Sequence, residues 1–355
     1  MASLNRRRRL ETYENGRLSI LRCNCEKTVM DEEFRQRFEQ LESRVALLER
    51  NQDLIAAGQR RSSLRSLWRR PPMWTFEQYP PRLLNLTAFP PAPAIHSGAP
   101  RIAMVTPSYN HVQYLGATID SIVGQNYPDL YYHVQDGASI DGTLDLLKSR
   151  GDSLSWSSKP DKGQSSAINL GFAGIESEIM AYLNSDDVLL PGTLAYVANY
   201  FIAHPHVDVV YGHRVFIDRE GLEVGRAVLP PHDGKALRYA DYIPQETMFW
   251  RKRVWDRIGP IDESMHYAMD WDFILRAQAA GFKFARLPRF LACFRIHDAQ
   301  KTASTYAVGV KEMGILRRRI LGFEPTQMQI RRAIAPYLAK QLAYHYAYKL
   351  GILRY

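Results

Sequence analysis

The sequence predicts an α/β fold in which a mostly parallel sheet is flanked by helices. Two patterns carry this prediction: from residue 101 onward short apolar runs alternate with amphipathic stretches, and polar turns follow the apolar runs. Short strands that alternate with helices imply βαβ units, whose strands run parallel and whose crossovers are right-handed. The 355 residues and the 46% hydrophobic fraction suffice for one large domain with additional segments.

The predicted elements follow one another along residues 101–183. The runs "RIAMVT", "LYYHVQ" and "EIMAYL" have the length and composition of buried strands, and a weaker strand is expected near residues 154–157. A helical stripe follows the first strand, a second helix begins in "DGTLDLLKS", and a third follows "KPDKGQ". This order predicts consecutive βαβ units.

Polar, glycine-containing turns stand where the predicted strands end: "TPSYN", "QDGASIDGT", "KPDKGQSS" and "NSDD". One such turn is ordinary turn chemistry, but ligands bind outside the carboxyl ends of the strands in open α/β sheets. Four polar turns on one edge therefore indicate a binding site. No GxxxxGK[ST] or GxGxxG motif is present at this edge, which disfavours a P-loop kinase and a dinucleotide-dependent dehydrogenase.

The last of these turns places two carboxylates, Asp186 and Asp187, side by side. Neighbouring carboxylates repel each other unless a cation offsets their charge. Oxygen ligands suit Mg²⁺ or Mn²⁺, and such ions complete their ligand shells with substrate phosphates. The sequence therefore predicts a divalent-metal site at this turn.

The first 100 residues predict two further segments. Residues 1–70 contain 16 Lys and Arg against 10 Asp and Glu, so this arm holds +6 of the net charge of +9. Such an arm is suited to anionic lipid, to nucleic acid or to an acidic partner, or it is a solvated tail; no nucleic-acid-binding motif accompanies it. Residues 71–100 contain eight prolines, which predicts a stiff, extended linker.

Within the basic arm, apolar residues of residues 34–55 recur in alternating steps of four and three. This spacing predicts either a short coiled coil of three heptads, and hence a homo-oligomer, or an amphipathic helix that packs on its own domain. After residue 302, "KEMGILRRRILGF" and "IRRAIAPYLAKQLAYHYAYKLGILRY" predict basic amphipathic helices. They either cover the sheet, which we prefer, or lie on a membrane surface.

The three cysteines lack the spacing of a zinc site, which fits a reducing compartment. No stretch is apolar enough for a membrane span, and the basic N-terminus lacks the apolar region of a secretory signal. We therefore expect a cytoplasmic protein, peripheral at the inner face of the membrane if its basic helices bind lipid.

The motifs "TPSYN", "VQDGASIDGT", "PDKGQSSAINLG", "YLNSDDVLLPG", "PQETMFWRKRVWDRIGPID" and "AMDWDFILRA" occur in the order found in family-2 glycosyltransferases of the GT-A fold. The chain resembles this family over residues 101–302. The resemblance implies a Rossmann-like GT-A domain that binds a nucleotide-sugar donor and a divalent metal. The flanking segments are then residues 1–70, the linker 71–100, and the C-terminal helices of residues 303–355.

The resemblance also implies the donor-side residues. Tyr109 matches a ring that stacks on the nucleobase. Asp136 matches a carboxylate that accepts a hydrogen bond from an N–H of the nucleobase. Residues 184–187 match the D-x-D-type motif, in which Asp186 would be the principal metal ligand. Asp187 would assist in metal binding or contact the ribose. Asn184 stands where many members of the family have Asp. His297 matches a second metal ligand. The remaining donor-side candidates are Pro107, Lys162 and Lys301.

On the acceptor side, "MDWDF" matches the acidic motif that supplies the catalytic base. Asp270 and Asp272 are two residues apart, so on a helix they project to nearly opposite sides and one of them faces the acceptor. The register of the motif favours Asp270 as the base. Glu246, Trp271 and Asp272 are assigned to the acceptor side.

These expectations describe an inverting glycosyltransferase that moves a sugar from a nucleotide donor, most simply a UDP-sugar, to a hydroxyl in polysaccharide or glycoconjugate synthesis, with Mn²⁺ or Mg²⁺ as cofactor. Two alternatives remain. A nucleotide-sugar-binding scaffold would not need the acidic helix motif. A nucleotidyltransferase would need a Gly- and Arg-rich loop near the first strand, where "TPSYNH" has none.

The heptad pattern generates a prediction about assembly. If residues 34–55 form a coiled coil, the full chain self-associates and a shortened chain that begins near Arg101 is monomeric, because the apolar seam is then missing. Light scattering measures both masses. Monomeric masses for both chains would contradict the coiled coil.

Overall fold

The strands of the protein form one curved sheet. The computed structural model describes residues 75–96, 98–297 and 306–355, and within these ranges the sheet has the order β3-β2-β1-β4-β8-β6-β9-β5, with β7 paired to β6. The strands are β1 (Ile102–Ser108), β2 (Leu130–Asp136), β3 (Ser155–Ser158), β4 (Ile179–Tyr182), β5 (Val188–Leu189), β6 (Val209–Ile217), β7 (Glu223–Ala227), β8 (Phe249–Arg251) and β9 (Phe284–Arg295). Strands β3, β2, β1 and β4 run parallel, as do β6 and β9; the other pairings are antiparallel.

Helices connect the strands and cover both faces of the sheet. They are α1 (Val112–Val123), α2 (Thr143–Ser149), α3 (Gln164–Phe172), α4 (Thr193–Ala203), α5 (Gly234–Leu237), α6 (Lys252–Ile258), α7 (Met269–Ala279), α8 (Tyr306–Leu321) and α9 (Gln327–Lys349). The α/β prediction is confirmed. Each element predicted for residues 101–183 is present, with bounds that differ by one or two residues.

The central strands are buried on both faces, as expected for a parallel sheet covered by helices. In β1, Ala103 and Val105 contact the core that contains Trp250, while Ile102 and Met104 contact the core that contains Leu115. Because side chains alternate along a strand, one continuous apolar run supplies both cores. The polar turns at the strand ends are thereby placed on a rigid support.

The proline-rich segment predicted as a stiff, extended linker packs on the domain where it is described. Residues 75–96, here called the strap, are extended apart from the short 3-10 helix Leu86–Ala88, but they pack along the domain. The backbone N–H of Gln78 donates to the carbonyl of Val224 at 2.8 Å, and the Arg289 guanidinium donates to the carbonyl of Pro90 at 2.8 Å. Proline lacks an N–H but keeps its carbonyl, so arginine side chains can hold a proline-rich chain in place.

The strap also affects the assembly test. A chain that begins near Arg101 loses packed residues, so the shortened chain should begin at Thr75. The coiled coil predicted for residues 34–55 lies outside the described residues.

The two C-terminal helices cover the domain. In α9, Ile330, Ile334 and Tyr337 are buried, and the ring of Tyr337 lies 4.1 Å from that of Tyr242. These contacts fit the covering role. None of the helices in the described ranges combines the length and apolarity that a bilayer span requires.

Helix α8 fastens the start of α7. The carboxylate of Glu312 accepts three backbone N–H bonds, from His266 at 2.8 Å, Tyr267 at 2.8 Å and Ala268 at 2.9 Å. Ala268 is the N-cap of α7, and His266 and Tyr267 directly precede it. A carboxylate near a helix N-terminus is favoured by the helix dipole as well as by its hydrogen bonds. A carboxylate from another helix therefore caps the chain where it enters the acidic motif.

This cap predicts a pH-dependent contribution to stability. Burial would raise the pKa of Glu312, but the three backbone donors outweigh it and the pKa lies below its usual value. A depressed carboxylate pKa contributes stability above the unfolded pKa of about 4.3, and that stability is lost as pH falls through the folded value. Glu312→Gln should therefore lower the free energy of unfolding by about 1–3 kcal/mol at pH 7.

Thermal unfolding of both proteins between pH 3 and 8 measures this difference, which should shrink below about pH 4. Glu324→Gln is the matched control, because Glu324 forms an exposed ion pair with Arg318 on the same helix hairpin. A difference that stays constant over the whole pH range would contradict the role of the Glu312 charge.

Candidate functional site

Two adjoining cavities open at the carboxyl ends of the strands. The tyrosine cavity, of about 620 Å³, is lined by Tyr109, Asp161 and Asp186 among others. The acidic cavity, of about 400 Å³, is lined by four carboxylates, those of Asp187, Asp241, Glu246 and Asp270. Gln164, Asn184 and Phe294 line both cavities and form their shared boundary.

The tyrosine cavity contains an exposed aromatic ring. Tyr109, just after β1, is 62% exposed, and Pro107 lines the same cavity. Gly137 lies beneath the ring: a Cβ there would stand 3.3 Å from Tyr109 Cδ2 and 3.2 Å from Asp161 Oδ2. The glycine lets the ring and the Asp161 carboxylate approach the same backbone, which leaves a flat apolar face beside a hydrogen-bond acceptor.

Asp136 lies behind this cavity instead of lining it. Its side chain is fully buried, and it accepts from the backbone N–H of Ser139 at 2.9 Å and from the hydroxyls of Ser139 and Ser158 at 2.5 Å each. These bonds hold the turn in which Ala138 adopts a φ of 65°. In this structure Asp136 fastens the loop that carries Gly137, while Asp161 is the carboxylate beside Tyr109.

The turn of residues 184–187 is held from two elements. The Thr118 hydroxyl of α1 donates to the carbonyls of Ser185 and Asp187 at 2.9 and 2.8 Å. From the end of β9, Arg295 donates through Nε to the carbonyl of Asp186 at 2.8 Å. Local sequence alone would allow this turn many conformations, and these tertiary bonds restrict it to one.

Asp186 faces the tyrosine cavity and meets His297. The Asp186 Oδ2 and His297 Nε2 atoms are 3.0 Å apart, and the His297 side chain is fully buried. Neighbouring ligands of one octahedral ion with bonds of about 2.1 Å lie about 3 Å apart, so this pair fits two positions around a divalent ion. No group of three or more His, Cys, Asp or Glu side chains converges to hold a metal, here or elsewhere in the described ranges. The pair by itself supplies two ligand atoms.

Asp187 is turned away from this pair. It is 1% exposed, lines the acidic cavity, and accepts from the backbone N–H of Arg295 at 3.0 Å. Burial first, and then the neighbouring Asp186 and Glu246, raise its pKa well above the usual value. The two adjacent carboxylates therefore face different cavities.

In the acidic cavity one cation offsets part of the charge. Arg214 forms an ion pair with Glu246, with Nε 2.7 Å from Oε1 and Nη2 2.8 Å from Oε2. The ion pair with Arg214 lowers the pKa of Glu246, but burial outweighs it and the pKa lies above its usual value. Burial, then repulsion from Asp270, raises the pKa of Asp241 well above its usual value. Burial likewise raises the pKa of Asp270. The cavity thus holds carboxyl groups that bind protons more readily than exposed ones.

Asp270 and Asp272 project to different sides of α7. Asp270 lines the acidic cavity, whereas Asp272 is fully buried behind it. Its carboxylate forms ion pairs with Arg276, at 2.7 Å, and with Arg319 of α8. The structure therefore places Asp272 away from the acceptor side expected for it, where it ties α7 to α8.

The other candidate residues are placed as follows. Trp271 is fully buried at the acidic cavity, and its indole N–H donates to the carbonyl of Leu237 at 2.9 Å. Lys162 is exposed beside Asp161 and is not among the residues that line the described cavity. Lys301 lies outside the described residues. Glu246 lines the acidic cavity with its carboxylate paired to Arg214.

Sequence reasoning missed several lining residues: Asp161, Tyr182, Arg214 and Asp241. Asp161 stands in "PDKGQ", a motif quoted above, where its position before a glycine could have marked it. Arg214 and Asp241 lie outside the quoted motifs, in an interior strand and in the loop after α5. The sequence offers no local signal for these two, because their role arises from which strands and loops meet.

Comparison with known proteins gives a family and a fold. The model of glycosyl transferase family 2 matches residues 103–260. A PGL/p-HBAD biosynthesis glycosyltransferase of Mycobacterium tuberculosis is 30% identical over 183 residues, which cover 50% of this chain and 70% of that protein. An uncharacterized glycosyltransferase of Nostoc sp. is 26% identical over 220 residues, 58% of this chain and 67% of that protein. The chain spans about two thirds of the length of such relatives.

Two solved structures share the fold. Staphylococcus aureus TarS 1-349, in complex with UDP-GlcNAc, has a TM-score of 0.50 at 17% identity and covers 69% of this chain and 73% of that one. The mannosyltransferase PcManGT from Pyrobaculum calidifontis, in complex with GDP-Man and Mn²⁺, has a TM-score of 0.51 at 18% identity and covers 73% of each chain. Residues 103–260, which the family model matches, include almost all the residues that line the tyrosine cavity. The strand ends that form this cavity carry the motifs in the family's order. The chain belongs to glycosyl transferase family 2 and has the GT-A fold.

Proposed function

We propose that this protein is a metal-dependent inverting glycosyltransferase that moves a sugar from a UDP-sugar to an acceptor hydroxyl of a glycan or glycoconjugate. One observation carries the proposal: a cavity lined by the exposed Tyr109 ring and by Asp186, which meets His297, adjoins a second cavity lined by Asp270. A transfer reaction needs two binding sites that meet, and Gln164, Asn184 and Phe294 are the residues at which these two meet.

The tyrosine cavity is the proposed donor site. The exposed face of Tyr109 offers a stacking surface for the nucleobase, and Asp161 offers an acceptor for a base N–H. TarS, which binds UDP-GlcNAc, and PcManGT, which binds GDP-Man, support a nucleotide-sugar as the ligand class. We assign UDP because uracil presents one ring N–H between its two carbonyls, and a single carboxylate such as Asp161 can accept that hydrogen bond.

Asp186 and His297 would hold the metal, with diphosphate oxygens completing its ligands. When bound, the ion neutralises charge that develops on the leaving diphosphate. A nitrogen ligand favours Mn²⁺ over Mg²⁺, which prefers oxygen alone. The Arg295 bonds to the turn hold Asp186 toward this site and Asp187 away from it.

The acidic cavity is the proposed acceptor site, with Asp270 as the general base. Its carboxylate accepts the proton of the acceptor hydroxyl as that oxygen attacks the anomeric carbon from the face opposite the leaving group, so the configuration inverts. A carboxyl with a raised pKa is a better proton acceptor than an exposed one. The three-bond cap from Glu312 positions the helix that carries it.

Two alternatives fit the geometry less well. A scaffold protein would have no use for a base in a cavity that adjoins the donor site. A nucleotidyltransferase would need a Gly- and Arg-rich loop that grips the pyrophosphate beside β1. The residues there that line the tyrosine cavity are instead Pro107, Ser108, Tyr109 and His111.

The metal site generates one prediction. Binding of UDP should weaken at least about tenfold when a chelator replaces Mn²⁺, because Asp186 and the diphosphate repel each other without an ion between them. Asp186→Ala should bind UDP weakly in both conditions. Calorimetric titration with UDP measures both affinities.

Asp145→Ala is the control for this titration, since Asp145 is an exposed residue whose ion pair with Lys148 lies on the surface. It should behave like the unchanged protein. Equal affinity for UDP with and without chelator would refute the metal-dependent donor site.

The second prediction separates binding from chemistry. Asp270→Asn should keep the affinity for UDP and lower transfer by about 10²–10⁴-fold, because general-base assistance is lost while the donor site is unchanged. Titration with UDP and rates of transfer from a UDP-sugar measure the two effects.

Asp272→Asn is the comparison on the same helix. It should lower the melting temperature, since two arginines lose a buried partner, yet retain most of the turnover of the folded protein. Normal transfer by Asp270→Asn would refute the assignment of the base.

A further inference from the structure

The acidic cavity contains a phenol without a partner. Tyr182, the last residue of β4, is 1% exposed, and its hydroxyl has no hydrogen-bond partner among the described residues. Its ring packs edge-on against Trp250, with centroids 6.3 Å apart. A buried hydroxyl is normally paired, and this one lines the cavity. The missing partner must therefore come from what occupies the cavity.

Two carboxylates beside this phenol also lack a cation. Glu246 is paired with Arg214, and Asp187 accepts from the Arg295 backbone. Asp241 accepts only a long bond of 3.3 Å from the backbone N–H of Ile243. Asp270 accepts from the backbone N–H of Trp271 at 2.8 Å. Neither carboxylate forms an ion pair with a Lys, Arg or His in the described ranges.

The chemistry of these groups selects the ligand. Carboxylates only accept hydrogen bonds, so the ligand must bring donors, and the phenol O–H needs an oxygen to which it can donate. A sugar hydroxyl is both donor and acceptor. A metal ion would satisfy the carboxylates, but no three of the described acidic or histidine side chains converge to hold one. An anionic group would be repelled, because four carboxylates face a single guanidinium in this cavity.

We propose that Tyr182 and Asp241 form, with Asp270, a subsite for an uncharged sugar residue that carries two neighbouring hydroxyls. One hydroxyl donates to Asp270 and reacts; its neighbour donates to Asp241 and accepts from the Tyr182 hydroxyl. The faces of Tyr242 and Phe294 in the same cavity supply apolar contact for the ring. The inference rests on the proposed function, in which the acidic cavity holds the acceptor, and it names the acceptor class.

The subsite makes Tyr182 and Asp241 positioning residues. Tyr182→Phe removes only the hydroxyl, and Asp241→Asn keeps the shape but replaces an acceptor oxygen by a donor. Tyr337→Phe is the matched control: the hydroxyl of Tyr337, on the buried face of α9, also lacks a described partner, but Tyr337 does not line the cavity. All three variants keep the donor-side residues.

Saturation-transfer NMR with a panel of methyl glycosides, in the presence of UDP and Mg²⁺, tests binding without knowledge of the natural acceptor. We expect at least one neutral glycoside to bind the unchanged protein and Tyr337→Phe, with affinity about tenfold or more weaker in Tyr182→Phe and in Asp241→Asn. The matching 6-phosphates and uronic acids should not bind. Calorimetric binding of UDP should be the same for all four proteins.

The outcomes separate the two proposals. If the unchanged protein does not bind UDP, the proposed donor site is refuted. If UDP still binds, three results would overturn the subsite alone. These are that no glycoside binds, that charged glycosides bind as well as neutral ones, or that Tyr182→Phe binds the neutral glycoside normally.

For a glycoside that serves as an acceptor, the separate effects of each substitution on KM, on kcat and on the pH profile of kcat add a further check. The Tyr182→Phe change should raise KM more than it lowers kcat. In Asp241→Asn the acid limb of the kcat profile should move to lower pH, because Asp270 loses the neighbouring Asp241 charge while Glu246, Arg214 and Tyr182 still act on it. An unmoved limb would overturn the role of Asp241 beside the base.

Discussion

The concentration of negative charge at the strand ends is the constraint on which the rest of the site depends. Carboxylates that are buried close together raise one another's pKa values and cost stability unless each is offset. The offsets here are separate and specific. Arg214 pairs with Glu246, the backbone of Arg295 holds Asp187, and His297 meets Asp186. Asp241 and Asp270, which form no ion pair within the described ranges, share the cavity in which the chemistry is proposed.

The two halves of the site are built from different parts of the chain. The tyrosine cavity comes almost wholly from residues 103–260, the region that matches the family. The acidic cavity also takes residues from outside that region, including Phe76 of the strap, Asp270 of α7 and Met313 of α8. Residues on both sides of the matched region therefore complete the acidic cavity.

Helix α8, which lies outside the matched region, positions the site and also lines it. Glu312 binds three backbone N–H groups at the start of α7, and Arg319 pairs with Asp272 on the same helix. The Arg317 guanidinium lies over the Trp271 ring, 5.3 Å from its centroid. Three contacts from one helix fix the direction in which Asp270 projects. Its orientation toward the acidic cavity is thus a property of the packing between α7 and α8.

The sequence by itself determined the elements and the edge on which the site lies. Alternating apolar runs and amphipathic stretches specify βαβ units, and the strand ends then bring Tyr109 and Asp186 to one rim because parallel strands end on the same side. The spacing of Asp270 and Asp272 likewise separates their directions on a helix. Only the tertiary structure decided that Asp136 fastens a loop while Asp161 lines the cavity, and that Tyr182 and Asp241 meet beside Asp270. Those placements depend on which strands, loops and terminal helices pack together, and contacts between residues distant in the chain leave no periodic or local pattern in the sequence.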